Sequence, residues 1–211
     1  MRFRQIGLAL AILIASCAPL PPSGPAPTAT EVEARRAALR ALDHWDLRGR
    51  VAVRLPDQGA QASLRWRHQT NREEIDLVGP FGGGHARLQY DAGGARLRDA
   101  RGREYEGADP EKLLYQATGW HVPLAGLAYW IRGLPAPDAA SAQALDDHGR
   151  LRALKQLGWD VEFLGYERVH EYELPSKIFL VRRLPGHAGE TDDPRIEVRV
   201  VVSSWDLARP Q

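Results

Sequence analysis

One cysteine, Cys17, occurs in 211 residues, so the chain can close no disulfide within itself. Charge of one sign is also missing. The 28 lysines and arginines stand against 27 aspartates and glutamates, a formal net charge of +1. No strong field therefore points to nucleic acid as a partner. Beyond an N-terminal run from Ile6 to Ile14, no apolar segment approaches the ~18 residues of a membrane-spanning helix, and that run is itself too short. Gly82-Gly83-Gly84 is not followed by Gly-Lys-Ser/Thr, which rules out a phosphate loop. His44, His68, His85, His121, His148, His170 and His187 show no pairing at metal-site spacing. Ser203-Ser204 lacks the Gly-x-Ser-x-Gly elbow of a hydrolase. Glu73-Glu74 and Asp146-Asp147 are neighbours whose side chains point apart on a strand, so they read as turn and surface charges. No catalytic residue, no metal and no cofactor is expected.

The N-terminus carries most of the remaining information. Arg2 and Arg4 precede the apolar run, which has the length of a signal-peptide core. Ile14-Ala15-Ser16-Cys17 follows, with small residues before a cysteine at the cut. This resembles the bacterial lipobox, in which the thiol receives a diacylglycerol and the new N-terminus is acylated. Residues 1–16 are then the signal peptide and Cys17 is the lipid attachment point. Ala18, where an aspartate would signal retention, resembles an outer-membrane address. Loss of Arg2 and Arg4 with the leader leaves 26 basic against 27 acidic residues.

Residues 17–30 form a proline-rich, semi-extended tether. Residues 31–211 are expected to be one domain. Glu31 to Leu42 predicts a helix with Val32, Leu39 and Leu42 on one side. Leu47 to Leu55 alternates, with Val51 and Val53 on one face and Arg48, Arg50 and Arg54 on the other. Ala60–Trp66, Ile75–Val78, Ala86–Tyr90, Ala95–Arg98, Glu104–Glu106, Leu151–Leu154, Trp159–Tyr166, Lys177–Arg183 and Arg195–Ser203 are further strands, separated by turn-like residues. Arg182 to Arg195 reads as a long exposed hairpin loop. Asp109-Pro110-Glu111 predicts a helix start and Gly119 its end. A second helix runs from Pro123 through Trp130 and Ile131 to Gly133. The expected fold is mainly β: an incomplete, half-open antiparallel barrel with helices covering or plugging one side and an apolar cavity.

The tryptophan–glycine phrases, read in order, carry a family resemblance. They are Trp45-Asp46-Leu47-Arg48-Gly49-Arg50, Leu64-Arg65-Trp66, Gly79-Pro80-Phe81-Gly82, Gly119-Trp120-His121-Val122-Pro123, Tyr129-Trp130-Ile131-Arg132-Gly133-Leu134-Pro135 and Gln156-Leu157-Gly158-Trp159. A last Trp205 follows. This order behind a lipobox resembles the LolB family of outer-membrane lipoprotein receptors. The resemblance implies a monomeric receptor, anchored on the periplasmic face of the outer membrane. It implies that the receptor accepts acylated lipoproteins from a soluble LolA-like carrier and releases them into the inner leaflet without ATP. It also implies that Phe81 stands where the family usually carries a protruding leucine that delivers cargo into the membrane.

The physics is compatible. A triacylated protein carries about 40 methylenes, and exposing them at about 0.8 kcal/mol each would cost on the order of 30 kcal/mol. Cargo must pass from one apolar pocket to another. Leu64, Trp66, Leu77, Leu88, Trp130, Trp159, Val161 and Ile178 are the candidates for the pocket wall, with ordinary core packing as the alternative for each. Two other functions stay open: a generic anchored lipid-binding or assembly protein, and a lipid hydrolase using the same cavity.

Overall fold

The computed structural model describes residues 26–80, 84–184 and 194–207. The first element is helix α1, Ala29–Arg40, two residues earlier than the pattern suggests. Thr28 explains the earlier start. Its hydroxyl accepts from the Glu31 N–H while the Glu31 carboxylate accepts from the Thr28 N–H, a reciprocal capping box.

Among the described residues eleven strands follow: β1 (His44–Arg54), β2 (Gly59–Gln69), β3 (Arg72–Val78), β4 (His85–Asp91), β5 (Gly94–Arg98), β6 (Glu104–Gly107), β7 (Ser141–Leu145), β8 (Leu151–Gln156), β9 (Trp159–Val169), β10 (Tyr172–Arg183) and β11 (Arg195–Leu207). Two helices interrupt them, α2 (Pro110–Thr118) and α3 (Leu124–Trp130). Every strand pair is antiparallel, in the order β6-β5-β4-β3-β2-β1-β11-β10-β9-β8-β7. β6 and β7 are the two edges, so the sheet is an open barrel, as expected.

The alternation read from the sequence holds. Leu47, Val51 and Val53 are buried while Arg48, Arg50 and Arg54 are exposed. Gly49 breaks the row for a steric reason. It sits where the β1–β11 register shifts, and a Cβ there would collide with the Val201 carbonyl oxygen. On the outer face, Arg65 pairs with Asp46 (2.6 Å), Arg67 with Glu74 (3.2 Å) and Arg87 with Asp76 (2.7 Å) across β1–β4.

α2 begins and ends as its sequence dictates. The Asp109 carboxylate accepts from the backbone of Glu111 and Lys112, Pro110 occupies the first turn, and Gly119 closes the helix at φ 74°. It packs on β4, β5 and β6. β7 was not expected, and the hairpin loop anticipated between Arg182 and Arg195 joins β10 to β11, with its tip outside the described residues.

The hairpins give the open barrel two distinct ends. The turns β2–β3, β4–β5, β7–β8 and β9–β10 lie at one end, with the start of β1 and the end of β11. The turns β1–β2, β3–β4, β5–β6, β8–β9 and β10–β11 lie at the other. We refer to the first as the closed end and the second as the mouth.

Candidate functional site

A cavity of about 410 Å³ opens at the mouth. It lies between the ends of β2, β3 and β4, the β5–β6 turn and the C-terminus of α2. Ala60, Ala62, Ala86 and Ala117 line it with Leu77, Pro80 and Trp120. With Ala100, small side chains at five positions leave the space that larger ones would fill. Asp99, Arg101 and Arg103 form its polar rim, with Arg103 bridged to Asp99 at 2.7 Å. Its volume is in the range of small-molecule sites, roughly 300–1,000 Å³, and Gln61, His85 and Thr118 add polar groups to its lining. Gly79 and Gly84 flank it, and the Gly79 N–H donates to the Gly84 carbonyl at 2.8 Å. That bond pins the base of the loop that carries Phe81. Phe81 itself, like Cys17, lies outside the described residues.

All eight residues expected to line the pocket are buried in one hydrophobic cluster. Leu64, Leu77 and Ala86 form one cross-strand row, and Trp66, Ile75, Leu88 and Leu97 form the next. On the opposite side Ile178 pairs with Phe163, and Val161 with Leu180. Leu77 alone of the eight lines the mouth cavity. Trp159 borders a smaller cavity of about 290 Å³, with Tyr115, His121 and Pro123.

Trp130 shows how the helical insertion is fixed in place. Its indole lies over Gly126, where a Cβ would approach the ring to 2.5 Å. Trp130 Nε1–H donates to Gln156 Oε1 at 2.9 Å. The same Gln156 oxygen accepts from the Ala136 N–H (2.8 Å), and its amide donates to the carbonyls of Ala136 (2.9 Å) and Ala139 (3.0 Å). Gln156 is 3% exposed. One buried amide thus ties α3 and the segment after it to the last residue of β8. In the sequence it stands only as the first residue of Gln156-Leu157-Gly158-Trp159, and a single glutamine in a strand carries no signal that it will be buried.

Polar groups also organise the closed end. Trp45 stacks on His68 (centroids 5.2 Å, 16°) and meets Trp66 and Trp205, each at 5.6 Å. Trp66 Nε1–H donates to Glu73 Oε2 at 2.6 Å, and His68 Nδ1 lies 2.6 Å from Glu73 Oε1. Glu73 is 8% exposed. This corrects its reading as a surface charge. Register brings it opposite His68, on the inward face shared with Ile75 and Leu77. Asp146 keeps the turn role expected for it, accepting from the backbone of His148 and Arg150. Burial, and then the charges of Glu73 and Glu111, push the Tyr90 hydroxyl above its ordinary range.

Arg132 is buried as well. Its guanidinium donates to the carbonyls of Leu42 (3.1 Å), Ala128 (3.2 Å) and Leu39 (3.4 Å), capping the C-terminal end of α1. Burial draws its pKa down, opposed by Tyr129 and Glu73. Arg35 and Arg150 both grip Glu173, at 2.8 and 3.2 Å, and hold α1 to β10.

Among the described residues no cluster of three or more histidine and acidic side chains could hold a metal. No helix among them is long and apolar enough to cross a membrane.

Comparison with known proteins gives a consistent result. A family model described as outer membrane lipoprotein LolB matches residues 43–205. The outer-membrane lipoprotein LolB of Pseudomonas putida (strain F1) is 38% identical over 172 residues, covering 82% of this chain and 78% of the relative. That of Stutzerimonas stutzeri (strain A1501) is 34% identical over 200 residues, covering 93% and 91%. That of Pseudomonas fluorescens (strain Pf0-1) is 37% identical over 172 residues, covering 82% and 78%.

Proposed function

The chain belongs to the outer-membrane lipoprotein LolB family, and from that premise we propose how its parts perform the work of the family. It is a lipid-anchored outer-membrane receptor that takes up lipoproteins and places them in the inner leaflet of the outer membrane. Cys17 bears the anchor. The donor is a soluble periplasmic carrier of the LolA type, and the protein binds and releases cargo without bond-making chemistry of its own.

The observation that carries this reading is the cavity between β2–β4, the β5–β6 turn and α2. Acyl chains enter there, over Ala60, Ala62, Leu77 and Ala86, and continue toward the aliphatic rows of the concave face. Leu64, Trp66, Leu88, Trp130, Trp159, Val161 and Ile178 form the walls that a longer chain meets as it goes deeper. Phe81, on the loop beside the opening, enters the lipid surface. Burying one such ring contributes about 1.5–3 kcal/mol, enough to bias the mouth toward the bilayer and small enough to be reversed. No nucleotide is needed. The acyl chains are sheltered before, during and after transfer, and the bilayer is their lowest-energy environment.

The test mixes carrier loaded with labelled lipoprotein and the purified protein. Label should move to the receptor without ATP, and from the receptor into liposomes. Ala86→Phe, which fills the cavity from an only partly buried position, should weaken binding of a fluorescent acyl probe at least fivefold while the circular dichroism spectrum is unchanged. A folded Ala86→Phe protein with undiminished probe binding would remove this cavity from the path.

A further inference from the structure

We infer that the β8–β9 hairpin tip is a second membrane contact, which inserts Leu157 into the bilayer that holds the lipid anchor. The inference rests on the receptor reading for the anchor and for a mouth that faces lipid, and on the fold for the rest.

The β8–β9 turn has two residues, Leu157 and Gly158, between the paired Gln156 and Trp159. Both take left-handed backbone, with φ 53° and 76°. Tight hairpin turns of this kind favour Asn-Gly or Asp-Gly, because asparagine, aspartate and glycine accept positive φ at little cost. A leucine there is strained by its Cβ. Packing does not offset that strain. Leu157 is 48% exposed and lies outside the hydrophobic cluster. Among the described residues, two other hairpin turns open on a non-glycine residue at positive φ: Thr70 (52°) in β2–β3 and His170 (54°) in β9–β10. Both lie at the closed end and both are polar. The apolar one of the three is at the mouth. Backbone strain that no internal contact offsets points to a role outside the domain.

The location fits lipid. Trp159, two residues on from Leu157, borders the smaller cavity together with the exposed Tyr115. Across the opening, with β2, β1, β11 and β10 between, β3 ends on the exposed Val78. Apolar side chains thus stand on both halves of the rim. Leu145, exposed near the closed end, sits within the edge strand β7 and not at a tip. A protein partner would need more than the tip offers. Stable protein interfaces bury about 800 Å² on each side, and one side chain on a convex turn supplies a small part of that. A fluid bilayer needs no complementary shape, and the lipid anchor keeps it within reach of the domain. Charge is not the attraction. Lys155, beside the turn, is paired with Asp160 at 3.1 Å, and Arg183 approaches the same carboxylate at 3.6 Å. A single apolar contact at the β3–β4 loop would let the domain roll about it. A second across the rim keeps the opening on the bilayer, where cargo must leave.

The test uses the full lipidated chain in phosphatidylethanolamine–phosphatidylglycerol vesicles. Cys17 is the one cysteine of the chain and is acylated in this form, so an introduced cysteine takes a single dye. Leu157→Cys reports the tip at the mouth, and His170→Cys a closed-end tip of equal turn length. Spin-labelled acyl chains should quench the dye at position 157 at least fivefold more than at position 170. Quenching at the two positions within twofold of each other overturns the inference. So does shielding of position 157 that appears only when carrier is added, because the tip would then dock the carrier. Leu157→Asn separates function from structure. It supplies a residue the turn favours, so its melting temperature should equal or exceed the native value while insertion of labelled lipoprotein slows at least fivefold. Leu157→Phe should insert at the native rate. A lowered melting temperature or a native insertion rate in Leu157→Asn would show that the leucine serves the fold alone. If the native chain takes no lipoprotein from the carrier, the receptor reading falls, while quenching at position 157 still decides the tip.

Discussion

Replacing Gln156 by methionine keeps the volume and shape of the side chain and removes every hydrogen bond it makes. Four groups lose their partner: the Trp130 indole N–H, the Ala136 N–H, and the carbonyls of Ala136 and Ala139. All meet at a side chain that is 3% exposed, so water cannot simply take its place. A buried group left unpaired costs about 1–3 kcal/mol, and partial relaxation recovers some of it. We expect a loss of about 4 kcal/mol, a large share of a stability that is typically about 5–15 kcal/mol. The assay is urea unfolding of the leaderless protein, followed by tryptophan fluorescence and far-ultraviolet circular dichroism. Trp130→Phe supplies the internal control, because it deletes one of the four groups in advance. In that background Gln156→Met should cost about 1 kcal/mol less than in the native protein. The reasoning is refuted if Gln156→Met costs under about 1 kcal/mol, or if the two substitutions add without coupling. Either result would mean that Trp130 is held by packing alone.

Cys17→Ala should yield a protein that incorporates no radiolabelled palmitate, is recovered soluble, and still accepts cargo from the carrier. Equal labelling of mutant and native protein would remove Cys17 as the attachment site. Phe81→Glu should change stability by less than about 0.5 kcal/mol and still accept cargo, yet insert it into liposomes far more slowly, while Phe81→Leu inserts normally. Loss of acceptance in Phe81→Glu would move that residue into the cavity or the docking surface. Acid should loosen α1. Burial raises the Glu173 pKa, but the Arg35 hydrogen bond and the charges of Arg150 and Arg35 outweigh it and hold the carboxyl below its ordinary 4.5. A depressed carboxylate contributes stability that is complete above its unfolded pKa and lost as pH falls through the folded one. Thermal melts taken downward from pH ~5 should show this loss, and Glu173→Gln should flatten it. Identical acid limbs in the two proteins would show that the Arg35–Glu173–Arg150 contact contributes nothing to the linkage.

The sequence by itself determined the local features. Asp109, Pro110 and Gly119 fix α2 through caps that need only near neighbours, and period-two alternation from Leu47 to Val53 fixes β1 and its inward face. The signal segment, the lipobox cysteine and the proline-rich stretch are local as well, and the ordered tryptophan–glycine phrases carried the family. Tertiary structure decided what depends on distant partners. β7 reads as Ser-Ala-Gln-Ala-Leu, too polar and short to declare itself, and exists because β8 pairs with it. Glu73 is buried only because hairpin register sets it opposite His68 and within reach of the Trp66 indole. The mouth cavity was hidden for a related reason. Ala60, Ala62, Ala86 and Ala117 carry almost no amphipathic signal, yet brought together they leave a void that only Leu77, of the eight larger residues singled out in the sequence, helps to line. Which end of the barrel receives the tether follows from Pro27 meeting Gly149, a contact between residues 122 positions apart that no pattern in the chain announces.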